Sequence, residues 1–135
     1  MADARTKVRD TEKITINVGC VDLGQIDLLV QEGFYSNRTD LIRTAIRNQI
    51  GVHAEVLRQT VARRTLVLGL LDYSRRDLET VRKSGKKLRI QALGLVRIAD
   101  DVSPALARDT IESITVLGAL HASAAVKAAL NDRLH

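Results

Sequence analysis

Apolar and polar residues alternate strictly over Lys13–Val18, KITINV, and four of these six residues are β-branched. That period predicts a half-buried strand with Ile14, Ile16 and Val18 on its inner side and Lys13, Thr15 and Asn17 on its outer side. The period then lengthens. Leu23, Ile26, Leu29 and Val30 share one helical face, with Asp22 as the expected N-cap and Gly33 as the stop. A second helix is predicted to start at Ser36 as N-cap, with Asp40 in its first turn and Leu41, Ile42, Ala45, Ile46 and Ile50 on its apolar face. The pattern continues through Val56, Leu57 and Val61, weakened at Gly51, toward Arg63 and Arg64.

Beyond residue 64 the pattern changes. LVLGLL (66–71), QALGLV (91–96) and TVLGAL (115–120) share a Leu-Gly core, with glycines at 69, 94 and 118. Each segment is apolar on both sides, which predicts a strand covered on both faces. Each is followed by a helix signal: Ser74 with Gly85 as the stop, Ser103-Pro104, and Ser123. Residues 65–135 therefore read as three strand–turn–helix repeats forming a small α/β region.

Composition narrows the function classes. The 135 residues carry a formal charge of +5, which suits an anionic partner without specifying one. The few aromatics, Phe34, Tyr35 and Tyr73, do not make a stacking platform for single-stranded nucleic acid. One cysteine, Cys20, excludes an internal disulfide and is expected to be a small half-buried residue. No apolar run is long enough to span a membrane, and MADARTKVRD lacks the apolar stretch of a secretory signal, so a cytoplasmic protein is expected.

The first strand poses a bonding problem, because a single strand among helices leaves its backbone donors and acceptors unmatched. The strand and two short helices are also too small to bury a core alone. Pairing with the same strand of a second copy solves both. Ile14, Ile16, Val18, Ile26, Leu29, Leu41, Ile42 and Ile46 would then share one dimer core. Lys13, Thr15 and Asn17 would project from a two-stranded ribbon narrow enough for a DNA major groove, where Asn matches adenine, Lys matches guanine and Thr matches a thymine methyl. The start of the second helix, with Ser36, Asn37, Arg38 and Thr39, offers amides and a dipole suited to a phosphate.

KITINV followed by DLGQIDLLVQEGFYSNRTDLIRTAIRNQI resembles the ribbon-helix-helix transcriptional regulators of the CopG, Arc and MetJ type, over residues 12–51. The resemblance implies an obligate homodimer on double-stranded DNA, with Lys13, Thr15 and Asn17 reading bases and Ser36, Asn37 and Arg38 gripping phosphates. Together with the repeat pattern, the reading is an α+β chain in three parts: a flexible arm (1–11), a ribbon-helix-helix domain with an extended second helix (12–64) and the C-terminal repeat domain (65–135).

Other residues carry weaker signals. Arg43 and Arg47 follow Arg38 at helical spacing, where a solvated face is the simpler reading, and is preferred for Arg47. Arg5, Lys7 and Arg9 suit an arm along the DNA backbone, diluted by Asp3, Asp10 and Glu12. The basic run RKSGKKLR (82–89) reads as a solvated helix end, or alternatively as a second anion site. Asp100 and Asp101 belong to a turn. His53, His121 and His135 are too dispersed for a metal site, and no cofactor or catalytic motif is present, so no enzyme is expected. The leading function is a DNA-binding transcriptional repressor. The alternative is an antitoxin whose C-terminal half binds a toxin. Residues 65–135 would serve tetramer assembly or sense a small-molecule effector that the sequence does not name.

Overall fold

The structure is a computed structural model that describes residues 11–135. The proposed arm residues Arg5, Lys7 and Arg9 lie outside the described residues. The described chain divides into two compact units, 11–59 and 60–135, with the division inside a helix. It is an α+β chain with six α-helices and one three-stranded parallel sheet among the described residues.

In the first unit, residues 11–19 form no regular element, and α1 (Cys20–Gln31), α2 (Arg38–Val52) and α3 (Ala54–Arg63) follow. The expected strand at 13–18 is thus not formed in the single chain: no strand among the described residues pairs with it. Helix α1 starts earlier than expected. Gly19, in extended conformation, is its N-cap, and Asp22 lies in the first turn instead. Its end is a Schellman turn: Gly33 at φ 84 donates to Val30 O at 3.1 Å, and Phe34 donates to Leu29 O at 3.0 Å. The expected long helix breaks once, at His53, which caps α2 two residues after Gly51. Cys20 is exposed in the single chain, not half-buried, at the first position of α1.

The second unit is built on β1 (Val67–Tyr73), β2 (Leu88–Ile98) and β3 (Ile111–His121), in the order β1-β2-β3. The strands are parallel, with Gly69 beside Gly94 and Gly94 beside Gly118. Each strand leads into a serine-capped helix: α4 (Arg75–Ser84) from Ser74, α5 (Pro104–Thr110) from Ser103 and α6 (Ala124–Ala129) from Ser123. The strands run beyond the Leu-Gly cores. β3 starts at Ile111, directly after Thr110 ends α5, and an irregularity in its pairing with β2 between Ile111 and Ser113 lets both Ile111 and Ile114, three residues apart, be buried.

Leu78, Leu106, Ala107 and Val126 of the helices pack on Ile90, Ala92, Val96, Ile98 and Ile114 of the sheet. Strand alternation turns Leu68, Leu70, Leu93, Leu95 and Leu117 to the other side. There Leu68 is 73 % exposed and Leu117 43 % exposed. Among the described residues the expectation of cover on both faces is therefore met at Leu95 and not at Leu68, Leu70 or Leu117. Neighbouring parallel strands joined in sequence by crossovers of one hand place α4 and α5 in the same layer, so on the second face Leu68, Leu70 and Leu117 stay exposed while Leu93 is half-buried and Leu95 is buried. The chain end closes one edge: His135 donates to Ile114 O at 2.8 Å, and Leu134 bridges the same residue.

Candidate nucleic-acid interface

The start of α2 is a compact polar knot. Asn37 is extended, at φ −166 and ψ 176, and its side-chain oxygen accepts from the Asp40 amide at 2.8 Å. Asn37 is therefore the N-cap, one residue after the expected Ser36. Ser36 takes a different part: its amide and its hydroxyl both donate to Asp40 Oδ2 at 3.0 Å. The Ser36 amide, followed by the Ser36 hydroxyl, holds the Asp40 carboxyl below its ordinary range. Two adjacent oxygen-bearing residues compete for one capping role, and the extended backbone of Asn37 decides between them.

Arg38 opens the helix and turns toward α1. Its Nε donates to Asp27 Oδ1 at 2.7 Å and its Nη2 to Asp27 Oδ2 at 2.8 Å. This planar fork ties α1 to α2. Hydrogen bonding from Arg38 lowers the Asp27 carboxyl, and Asp27 raises the guanidinium in return. The two residues stand eleven positions apart across a turn, and periodicity alone did not reveal the pair.

Ser36, Asn37 and Thr39 line a shallow cavity of about 330 Å³ with Asp40, Arg43, Thr44 and Arg47. Thr39, Arg43 and Arg47 recur every four residues and so share one helix face. Among the described residues neither Arg43 nor Arg47 makes an ion pair. The helix start thus brings three of the four proposed phosphate-contact residues together with two arginines. The fourth, Arg38, is already engaged by Asp27. Arg47, for which the sequence favoured a solvated face, belongs to the same cavity, and its spacing from Thr39 and Arg43 was the available signal.

Lys13, Thr15 and Asn17 are exposed, and so are the intervening apolar residues: Ile14 is 76 % exposed and Ile16 69 %. Val18, Leu29, Ile42 and Ile46 are exposed as well, while Ile26 and Leu41 are half-buried.

The basic run at 82–89 is partly neutralised. Arg89 Nε lies 2.6 Å from Glu112, and Arg82 approaches Asp109 at 3.9 Å. That favours the solvated, locally paired reading over a second anion site. Among the described residues no group of three His, Cys, Asp or Glu side chains is placed to hold a metal ion. No helix among them is long and apolar enough to cross a membrane.

No curated protein and no solved structure matches the chain significantly. A family profile does match, over residues 9–127. That span takes in the first helix pair and all three strands, and with it the chain belongs to the Ribbon-Helix-Helix transcriptional regulator family, whose members bind DNA.

Proposed function

We propose that the protein is a homodimeric, sequence-specific DNA-binding repressor that places a two-stranded antiparallel ribbon, one strand from each copy, in the major groove. One observation carries this reading. Residues 11–59 hold no buried side chain, yet their apolar positions alternate and recur as those of a packed core do. At about 25 cal/mol per Å² of apolar surface, leaving such a set in water is costly, and a second copy with the same pattern relieves that cost.

In the dimer, Ile14, Ile16, Val18, Ile26, Leu29, Leu41, Ile42 and Ile46 face inward, and Lys13, Thr15 and Asn17 reach the base edges. Ser36, Asn37 and Thr39 meet the phosphates, supported by Arg43 and Arg47. Arg38 keeps Nη1 for the same task while Asp27 fixes the rest of its guanidinium. A protein that fills the groove at a promoter excludes the polymerase by occupancy, which favours repression. The packed core of residues 60–135 argues against an antitoxin tail that stays unfolded until it meets its toxin. The exposed Leu68, Leu70 and Leu117 of the sheet suit the joining of dimers into tetramers.

The test is a random-site selection with the wild type and with Thr15→Ala plus Asn17→Ala. Each good bidentate pair discriminates by about 1–3 kcal/mol, so the double variant should lose its preferred operator and keep weak, salt-sensitive binding. Recovery of the same operator by the double variant would refute the base-reading assignment.

A further inference from the structure

The sheet has two edges, and the chain treats them differently. On the β3 side, Leu134 bridges Ile114 and His135 donates to the Ile114 carbonyl at 2.8 Å. On the β1 side, no strand lies beyond Val67–Tyr73 among the described residues. Soluble proteins guard a bare edge with lysine, proline, a bulge or a covering segment. Residues 66–71, LVLGLL, carry neither charge nor proline, and β1 pairs with β2 without a bulge. Val67, Leu68 and Leu70 are exposed there.

Gly69 points the same way. Gly118 and Gly94 turn the side where a Cβ would stand onto the backbone of the strand before, 2.0 Å from Gly94 O and 2.2 Å from Gly69 O. Their left-handed φ values of 124 and 140 are thus tied to a close backbone approach. Gly69 repeats that conformation, at φ 121, but the corresponding side faces away from β2 and meets nothing within 4 Å among the described residues. A further backbone fits beside it as β1 fits beside Gly94.

Charge selects the occupant. Arg63 and Arg64 precede β1, and Asp72 lies near its far end. None of the three makes an ion pair among the described residues. An antiparallel β1 from a second copy sets the arginines of each copy beside the Asp72 of the other. A parallel β1 would set like charges together, and a head-to-tail stack on the β3 edge of the next copy would meet its Leu134 and His135. A like-with-like contact also closes on itself instead of growing.

We propose that β1 of two copies pair antiparallel across a two-fold axis, merge their sheets into one of six strands and so join ribbon dimers into a tetramer. Main-chain hydrogen bonds supply the contact, and Leu68 and Leu70 of both copies form one apolar surface beside it. A single seven-residue edge is a small contact. Each ribbon dimer carries two, and engaging both at once multiplies their strength. The proposal therefore rests on the dimer reading for its strength, and a chain that cannot form the ribbon dimer is left with one weak contact and sediments as a monomer.

The test is sedimentation equilibrium of the full-length protein, with operator binding measured on the same samples. The wild type should be a tetramer that dissociates to dimers on dilution. Gly69→Ala places a methyl on the bare edge, where its own chain offers no obstacle, and should leave a dimer with the wild-type operator preference. Asp72→Arg should weaken the tetramer about tenfold, and adding Arg63→Asp and Arg64→Asp to it should restore assembly. A wild type that is a dimer at every concentration, with its operator preference intact, would overturn the edge contact and leave the DNA reading standing. A monomeric wild type would overturn both. Assembly that grows without limit would replace the two-fold contact by head-to-tail stacking. A Gly69→Ala protein that stays tetrameric, or a triple variant that assembles no better than Asp72→Arg, would also overturn the proposal.

Discussion

Arg38 closes on Asp27 through two parallel hydrogen bonds of 2.7 and 2.8 Å, and this fork joins the first two helices of the chain. Both side chains are about half exposed, so solvent screens the pair and its contribution to stability is small. Asp27→Asn is therefore expected to lower the thermal midpoint by only about 2 °C. The pH dependence has a definite sign. The folded carboxyl titrates below the ordinary aspartate value of 3.8, so its stabilisation is complete above that value. It is lost as pH falls through the lowered folded value. Thermal melts should show a gap between wild type and Asp27→Asn at pH 7 that closes below about pH 4. A gap that widens on acidification would mean that the pair is not the source.

The three Leu-Gly glycines stack across the sheet, and they are not equivalent. A Cβ built on Gly94 would lie 2.2 Å from Gly69 O, and one on Gly118 would lie 2.0 Å from Gly94 O. Both obstacles are backbone and cannot swing away. A Cβ on Gly69, at the open edge of β1, meets nothing within 4 Å and suffers only from its φ of +121. Gly94→Ala and Gly118→Ala should each cost more than about 4 kcal/mol and abolish the cooperative unfolding of the sheet. Gly69→Ala should cost about 1–2 kcal/mol. Urea titrations that rank the three variants otherwise would contradict the register.

Much of the C-terminal architecture was legible in the sequence. Ser74, Ser103 and Ser123 each precede a helix pattern, and capping depends on local chemistry that a short window records. The glycine spacing foreshadowed the alignment of Gly69, Gly94 and Gly118 in one row, because parallel strands in register place equivalent residues side by side. Other features depend on distant groups and were not legible. Leu68 and Leu117 look like interior residues by composition, and only the one-sided helix layer exposes them. Asn37 and Ser36 differ as caps through one residue's backbone angles. At the helix start, the spacing grouped Arg43 and Arg47 with Arg38, whereas the structure groups them with Thr39, because the partnership of Arg38 with Asp27 crosses a turn that no periodicity spans.

The cavity at the start of α2 makes a quantitative statement about DNA. If Arg43 and Arg47 each neutralise a phosphate, the loss of either reduces the slope of log affinity against log salt by about one unit. Arg43→Ala and Arg47→Ala should weaken binding to every sequence by a similar factor and leave the preferred site unchanged. Fluorescence anisotropy on cognate and scrambled duplexes, at several salt concentrations, measures both quantities. An arginine whose loss alters the slope by nothing has only a solvated role, and one whose loss changes the preferred bases is a reader.

The exposed apolar set of residues 11–59 bears directly on folding. Ile42 and Ile46 lie one turn apart on α2, and both are exposed in the single chain although neighbouring positions alternate with charge. A surface residue in that state tolerates a carboxylate at little cost, whereas a residue in a two-chain core does not. Burying an unpaired charge there would cost several kcal/mol, enough to dissociate the dimer. Ile42→Asp should therefore convert the protein to a monomer in sedimentation equilibrium. It should also reduce helical circular dichroism, while the cooperative unfolding of residues 60–135 persists on their own core. If Ile42→Asp sediments and unfolds as the wild type does, the shared core does not include α2.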